Sequence, residues 1–109
     1  MPTRSDTLQG ALPLLVLTVL HRRGPLHGYA ITSHIQKLSD ALRVEEGSLY
    51  PSLHRMEEAG WIKARIITTE HDRRARAYEL TAAGRRQLGI EEARWRSITD
   101  GVNYVLKHA

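Results

Sequence analysis

Arg73, Arg74 and Arg76 place three guanidinium groups within four positions of the chain. A guanidinium presents a planar fork of donors that suits phosphate oxygens and narrow minor grooves. A second set of polar residues, Ser48, Pro51, Ser52, His54 and Arg55, lies upstream. On a helix of about 3.6 residues per turn, Leu53 and Met56 fall beside Leu49. Ser48, Pro51, Ser52 and Arg55 then fall on the far side, with His54 at the edge. Such a face is small, polar and basic at one point. It suits close approach to base edges, and Arg55 suits bidentate contact with guanine. Glu57 and Glu58 stand at the far end of the same helix, where carboxylates would not face phosphate. The plainer alternative for each arginine is a solvated charge on a hairpin.

Other chemistries find little support. The chain has no cysteine, which excludes a disulfide framework, a thiol nucleophile and a thiolate metal site. The six histidines, at positions 21, 27, 34, 54, 71 and 108, show no metal-ligand spacing. Glu91, Glu92 and His108 could meet only across two chains, and His71 beside Asp72 reads as solvated. No glycine-rich loop follows a strand, and no nucleophile sits at a recognisable strained turn. No enzyme and no cofactor are expected.

The 109 residues suffice for one domain. With 41% apolar and 26% charged residues the chain reads as an ordinary soluble one, and its net charge of +4 fits an acidic partner. The longest apolar run, Ala11 to Leu20, is shorter than the roughly 20 residues a membrane span needs. A cytoplasmic location is expected.

The elements that must hold the arginines follow from periodicity. A first helix, capped by Asp6 or Thr7, should run to about Arg22 and stop at Gly24-Pro25, with a kink or a later start at Pro13. Leu8, Leu12, Leu14, Leu15, Val16, Leu17, Val19 and Leu20 cover nearly its whole circumference, so one side should meet a second chain. A second helix, about Gly28 to Leu38, carries Tyr29, Ile31, Ile35 and Leu38 as its stripe. A third, about Glu46 to Ala59, turns Leu49, Leu53 and Met56 inward and ends at Gly60. The period then becomes two: strands at 61–67 and 75–80 flank a polar loop from Thr69 to Arg74. Thr81 caps a last helix to about Lys107. Its residues Leu88, Trp95, Ile98, Val102 and Val105 form a heptad-like seam interrupted by Glu91. At about 26 residues it would span roughly 39 Å, more than so small a domain needs.

Three helices followed by a hairpin is the element order of a winged helix-turn-helix, here about 6–80. A C-terminal dimerisation helix completes it at about 81–107. The fold class is mainly α with a small β-hairpin. In this arrangement helix three enters the major groove of double-stranded DNA and the wing lies along the backbone. The predicted homodimer interface is Leu8, Leu12, Leu15, Leu88, Trp95, Ile98, Val102 and Val105.

At this point the chain resembles the PadR family of bacterial transcriptional regulators. The residues that carry the likeness are Leu26-His27-Gly28-Tyr29-Ala30-Ile31 and the run from Gly47 to Glu57, which contains Gly-Ser-Leu-Tyr-Pro. Gly60-Trp61-Ile62 and the segment Tyr78-Glu79-Leu80-Thr81-Ala82-Ala83-Gly84 complete it. The single C-terminal helix looks like the shorter type. The resemblance implies a homodimeric repressor that reads a near-palindromic operator, and several members respond to small aromatic effectors. The matching DNA-contact positions are Ser48, Tyr50, Pro51 and Arg55, with the wing arginines. The family's wing often reads Gly-Arg-Pro where this chain has Asp72-Arg73-Arg74, and Ala77 replaces the first aromatic of a following pair.

Tyr50 either touches phosphate or packs between helices two and three. Trp61 reads as core where helix meets strand. Trp95 reads as an interface anchor, with stacking on a small aromatic effector as the sharper alternative. A competing function is a winged-helix module that docks a protein and binds no DNA; it would need an apolar outer face on helix three.

Overall fold

The computed structural model describes residues 4–109, with side chains from Gly10 onward. The elements are α1 (Arg4–Arg23), β1 (Leu26–His27), α2 (Gly28–Leu38), α3 (Glu46–Glu58), β2 (Ile62–Thr68), β3 (Arg74–Leu80) and α4 (Ala82–His108). The strands form one antiparallel sheet in the order β1-β3-β2. Four helices and a three-stranded sheet make the winged helix-turn-helix expected from the element order.

Every helix begins or ends for a local reason. Gly24 takes φ +78 and donates its N–H to the Leu20 carbonyl at 3.0 Å, closing α1. Gly60 does the same work after α3, with φ +80 and a 2.9 Å bond to the Glu57 carbonyl. The Thr81 side chain accepts from Gly84 N at 3.0 Å, as a threonine N-cap should. Its hydroxyl also donates to the Gly60 carbonyl at 2.6 Å, tying the start of α4 to the end of α3.

Three expectations about the helices and one about the sheet are corrected. First, α1 begins at Arg4, so Asp6 and Thr7 lie inside it rather than at its cap. Second, the helix starts well before Pro13 and runs on through it, so the later start is not seen; one missing donor is small beside the burial of the neighbouring leucines. Third, α2 buries Ile31 and Ile35, but Tyr29 and Leu38 are exposed. Tyr29 stands two residues from Ile31, about 200° around the helix, and Leu38 is its last residue. Fourth, residues 26–27 form a strand on the wing: Leu26 pairs with Tyr78 and His27 with Ala77, which makes β3 the central strand.

One core joins the layers. Leu12, Val16, Leu17, Val19 and Leu20 from α1 meet Ile31 and Ile35 from α2, Leu49, Leu53 and Met56 from α3, and Ile62, Tyr78 and Leu88. Trp61 is half-buried against this cluster. Gly84 is required there: a Cβ would overlap the Trp61 carbonyl oxygen and come within 2.8 Å of Leu80. Beyond Leu88, α4 leaves the core. It gives the molecule its 55 Å length against 28 and 23 Å across.

Among the described residues, no helix is long and apolar enough to cross a membrane.

Candidate nucleic-acid interface

The inward stripe of α3 holds its outer face in place. Leu49, Leu53 and Met56 are buried, so Tyr50, Pro51, His54 and Arg55 are turned to solvent, and Ser48 is half-buried near the N-terminal end. Ser52 is not on this face: it is 2% exposed. Three residues from Leu49, it lies only about 60° from the apolar stripe, and the core takes it in. The expectation that Ser52 reaches DNA is therefore corrected.

The face is also more acidic at its entry than expected. Glu45 caps α3 without a side-chain bond, Glu46 occupies the first turn, and both are exposed. Their carboxylates have the chemistry to accept from a cytosine amino group.

Tyr50 has a double role. A Cβ on Gly28 would fall 2.9 Å from the Tyr50 ring and hydroxyl, so the phenol packs directly on the start of α2, where only glycine fits. The Leu-His-Gly-Tyr and Gly-Ser-Leu-Tyr-Pro segments thus meet in space. Yet Tyr50 stays 46% exposed. Desolvation first, then the Glu46 charge and Tyr78, push its ionisation above the usual phenol value, so it is a hydrogen-bond donor at neutral pH. Nearby, His27 caps α2 by accepting from Ala30 N at 3.2 Å through Nδ1, which leaves Nε2 as the protonated nitrogen of the neutral ring. This histidine cap is outside the usual Ser/Thr/Asp/Asn set, and sequence patterning missed it.

The wing is an ordered tip on a two-strand ribbon. Thr69 N donates to the Arg73 carbonyl at 2.8 Å, Asp72 N to the Thr69 carbonyl at 2.9 Å, and Arg73 N to Thr69 Oγ1 at 3.2 Å. Asp72 takes φ +58. That is the left-handed conformation glycine supplies most easily and aspartate tolerates, so Asp72 fills the wing's glycine position. Arg73 and Arg74 are exposed at the tip and, among the described residues, have no carboxylate partner.

Arg76 differs from them. Its Nη2 donates to both Glu57 oxygens, at 3.2 and 3.1 Å, and its guanidinium lies 6.0 Å from the centre of the Tyr78 ring. Tyr78 first, then Glu57, favour the charged form and raise its pKa. His54 is likewise paired, with Glu58 at 2.7 Å. Between α3, the start of α2 and the wing runs a groove of about 1240 Å³, lined among others by His27, Tyr29, Tyr50, Arg73, Arg74 and Arg76.

The predicted interface residues separate into two groups. Leu12 and Leu88 are buried in their own chain's core, at 2% and 6% exposure, so they are corrected from interface to core. Leu15 is half-buried, while Trp95, Ile98, Val102 and Val105 are exposed. The Leu8 side chain lies outside the described residues. Trp95 borders a cavity of about 450 Å³ with Leu14, Leu15, Val19, Leu38 and Leu42. Among the described residues no cluster of His, Asp or Glu is arranged to hold a metal ion.

Residues 16–90 match the family described as "Transcriptional regulator PadR-like family". The chain belongs to the PadR-like family of transcriptional regulators. Solved relatives agree. A transcriptional regulator from Clostridium thermocellum superposes with a TM-score of 0.82 at 27% identity, over 92% of this chain and 97% of that one. A PadR-like regulator from Bacillus cereus gives 0.81 at 26% identity, over 96% and 100%. A PadR family regulator from Eggerthella lenta gives 0.80 at 29% identity, over 95% and 88%. An uncharacterised 37.1 kDa protein in a transposon of Streptomyces fradiae is 43% identical over 78 residues, 72% of this chain. The match spans only 21% of that relative's length. The PadR-like segments quoted above all fall within the matched range, and their glycines do visible work: Gly28 admits Tyr50, and Gly84 admits the Trp61 carbonyl.

Proposed function

We propose that this PadR-like regulator is a homodimeric repressor that binds a near-palindromic DNA operator. Helix α3 enters the major groove and the wing tip lies on the adjacent backbone. The observation that carries this is the pairing of a narrow, mostly polar face on α3 with a wing tip whose two arginines lack carboxylate partners among the described residues. Ser48, Tyr50, Pro51, His54 and Arg55 form the reading set, and Arg73 and Arg74 hold phosphate. A protein-docking module would want an apolar patch on that face; here a single half-exposed tyrosine stands among proline, histidine and arginine.

The dimer is supported by the exposed seam of Trp95, Ile98, Val102 and Val105 along a helix that outruns its own domain. Two copies of α3 should then sit about 34 Å apart, one helical turn of DNA. Selection of bound duplexes from a random pool tests this. Enrichment of paired half-sites with that spacing is the expected result; no enrichment at low salt rejects it.

A second reading concerns the cavity beside Trp95. Its lining is mostly apolar, which fits a small aromatic effector that stacks on the indole and relieves repression. Trp95 fluorescence should be quenched by planar aromatic compounds. Unchanged emission across a broad panel leaves Trp95 as packing.

A further inference from the structure

The three wing arginines are not electrostatically equal, and the difference lies on α3. Arg73 and Arg74 point their charge from the tip without a partner among the described residues. Arg76, at the base, is clasped by both oxygens of Glu57, two residues beyond Arg55 on the reading helix. Tyr78, buried on the central strand, lies under the same guanidinium. Arg76 borders the wing groove and also a second groove of about 550 Å³ that contains Glu57, His54 and Tyr50. It is therefore the junction between the two DNA-facing elements.

We propose that Glu57 is a specificity-determining residue, which holds Arg76 against α3 and withholds that cation from phosphate. The proposal rests on the DNA-binding reading. Both side chains are partly exposed, at 56% for Arg76 and 27% for Glu57, and such a pair adds little to stability. Its effect is on the field and on placement. Affinity for arbitrary duplex grows with the number of cations free to displace counterions, and pairing removes one from that number. The same clasp fixes the wing strand's distance from the reading helix. Only a duplex that satisfies α3 and the wing tip together gains from a fixed spacing, so the carboxylate penalises arbitrary DNA more than the operator.

The test uses the full chain, the unselected random duplex pool, and a duplex enriched from that pool, between about 50 and 200 mM salt. E57Q should raise affinity for the pool roughly fivefold and steepen its log–log salt slope by about 0.9, while affinity for the enriched duplex changes less. Discrimination therefore falls. E57D, which keeps the carboxylate, should restore it. R76Q should leave the wild-type salt slope unchanged, and it keeps the proposal falsifiable if E57Q folds poorly. Reduced pool affinity in well-folded E57Q overturns the proposal, as does an R76Q slope flattened by about 0.9, the mark of a lost phosphate contact. A wild-type chain that binds no duplex at all rejects the DNA-binding reading and this proposal with it. A wild-type chain that binds while the variants behave otherwise rejects this proposal alone.

Discussion

Two stretches of the chain treat apolar side chains in opposite ways. From Leu12 to Leu88, apolar side chains from all four helices and the sheet bury one another in a single cluster. From Ile90 to Leu106, Ile90, Trp95, Ile98, Val102, Tyr104, Val105 and Leu106 are all exposed. The first region buries most of its apolar side chains in its own core, with Tyr29, Leu38, Tyr50 and Ile66 as the exposed exceptions. The second presents apolar surface that the described residues of the same chain leave largely uncovered, and exposed apolar surface of this extent marks candidate association surfaces.

Substitutions should break this contrast in graded steps. The largest effect belongs to the self-sufficient region. Leu49→Ala removes a fully buried side chain behind the reading face and should cost about 2–5 kcal/mol in denaturant unfolding. Ile98→Asp acts on the other region. It should weaken self-association by roughly 2 kcal/mol or more, seen as a fall in sedimentation mass, while circular dichroism of the helices stays largely intact. An equal loss of folded signal would mean that the two regions fold as one.

Arg55→Ala should cost roughly 1–3 kcal/mol at particular base pairs and little at others. Uniform loss on every sequence would remove it from the reading set. Arg73→Ala with Arg74→Ala should weaken binding to all sequences alike and flatten the log–log salt slope by about 2. The smallest effect is at Tyr50. Its native phenol ionises above the ordinary value of 10.0, so the folded state binds that proton more tightly than the unfolded state. The resulting stabilisation is present below the ordinary value and is lost as pH rises through the native one. Ultraviolet titration of Tyr50→Phe should therefore lack a phenol that in the wild type ionises above the ordinary value.

The helices and strands were readable because each is coded by local period and local stops. The α3 stripe, the Gly24 and Gly60 ends, the Thr81 cap and the change to period two before β2 all depend on residues within one or two turns. The family segments were readable for the same reason, since each is contiguous. What escaped depends on residues far apart in the chain. Strand β1 is two residues long and exists only because β3 lies beside it. Ser52 looks polar and outward on its own helix, but the surrounding core covers it. Leu12 and Leu88 carry the pattern of interface residues, yet they meet within one chain. The Arg76–Glu57 pair joins residues 19 apart, and no pattern in either segment announces it.

Charge, periodicity and turn chemistry thus determined from the sequence alone that this chain holds a winged helix-turn-helix, a basic wing and an overlong last helix. Tertiary structure decided which wing arginine is paired, which polar residue is buried and where the apolar surface ends. The physical reason is that helix period and capping act between near neighbours, whereas burial and ion pairing are set by whichever distant element packs alongside.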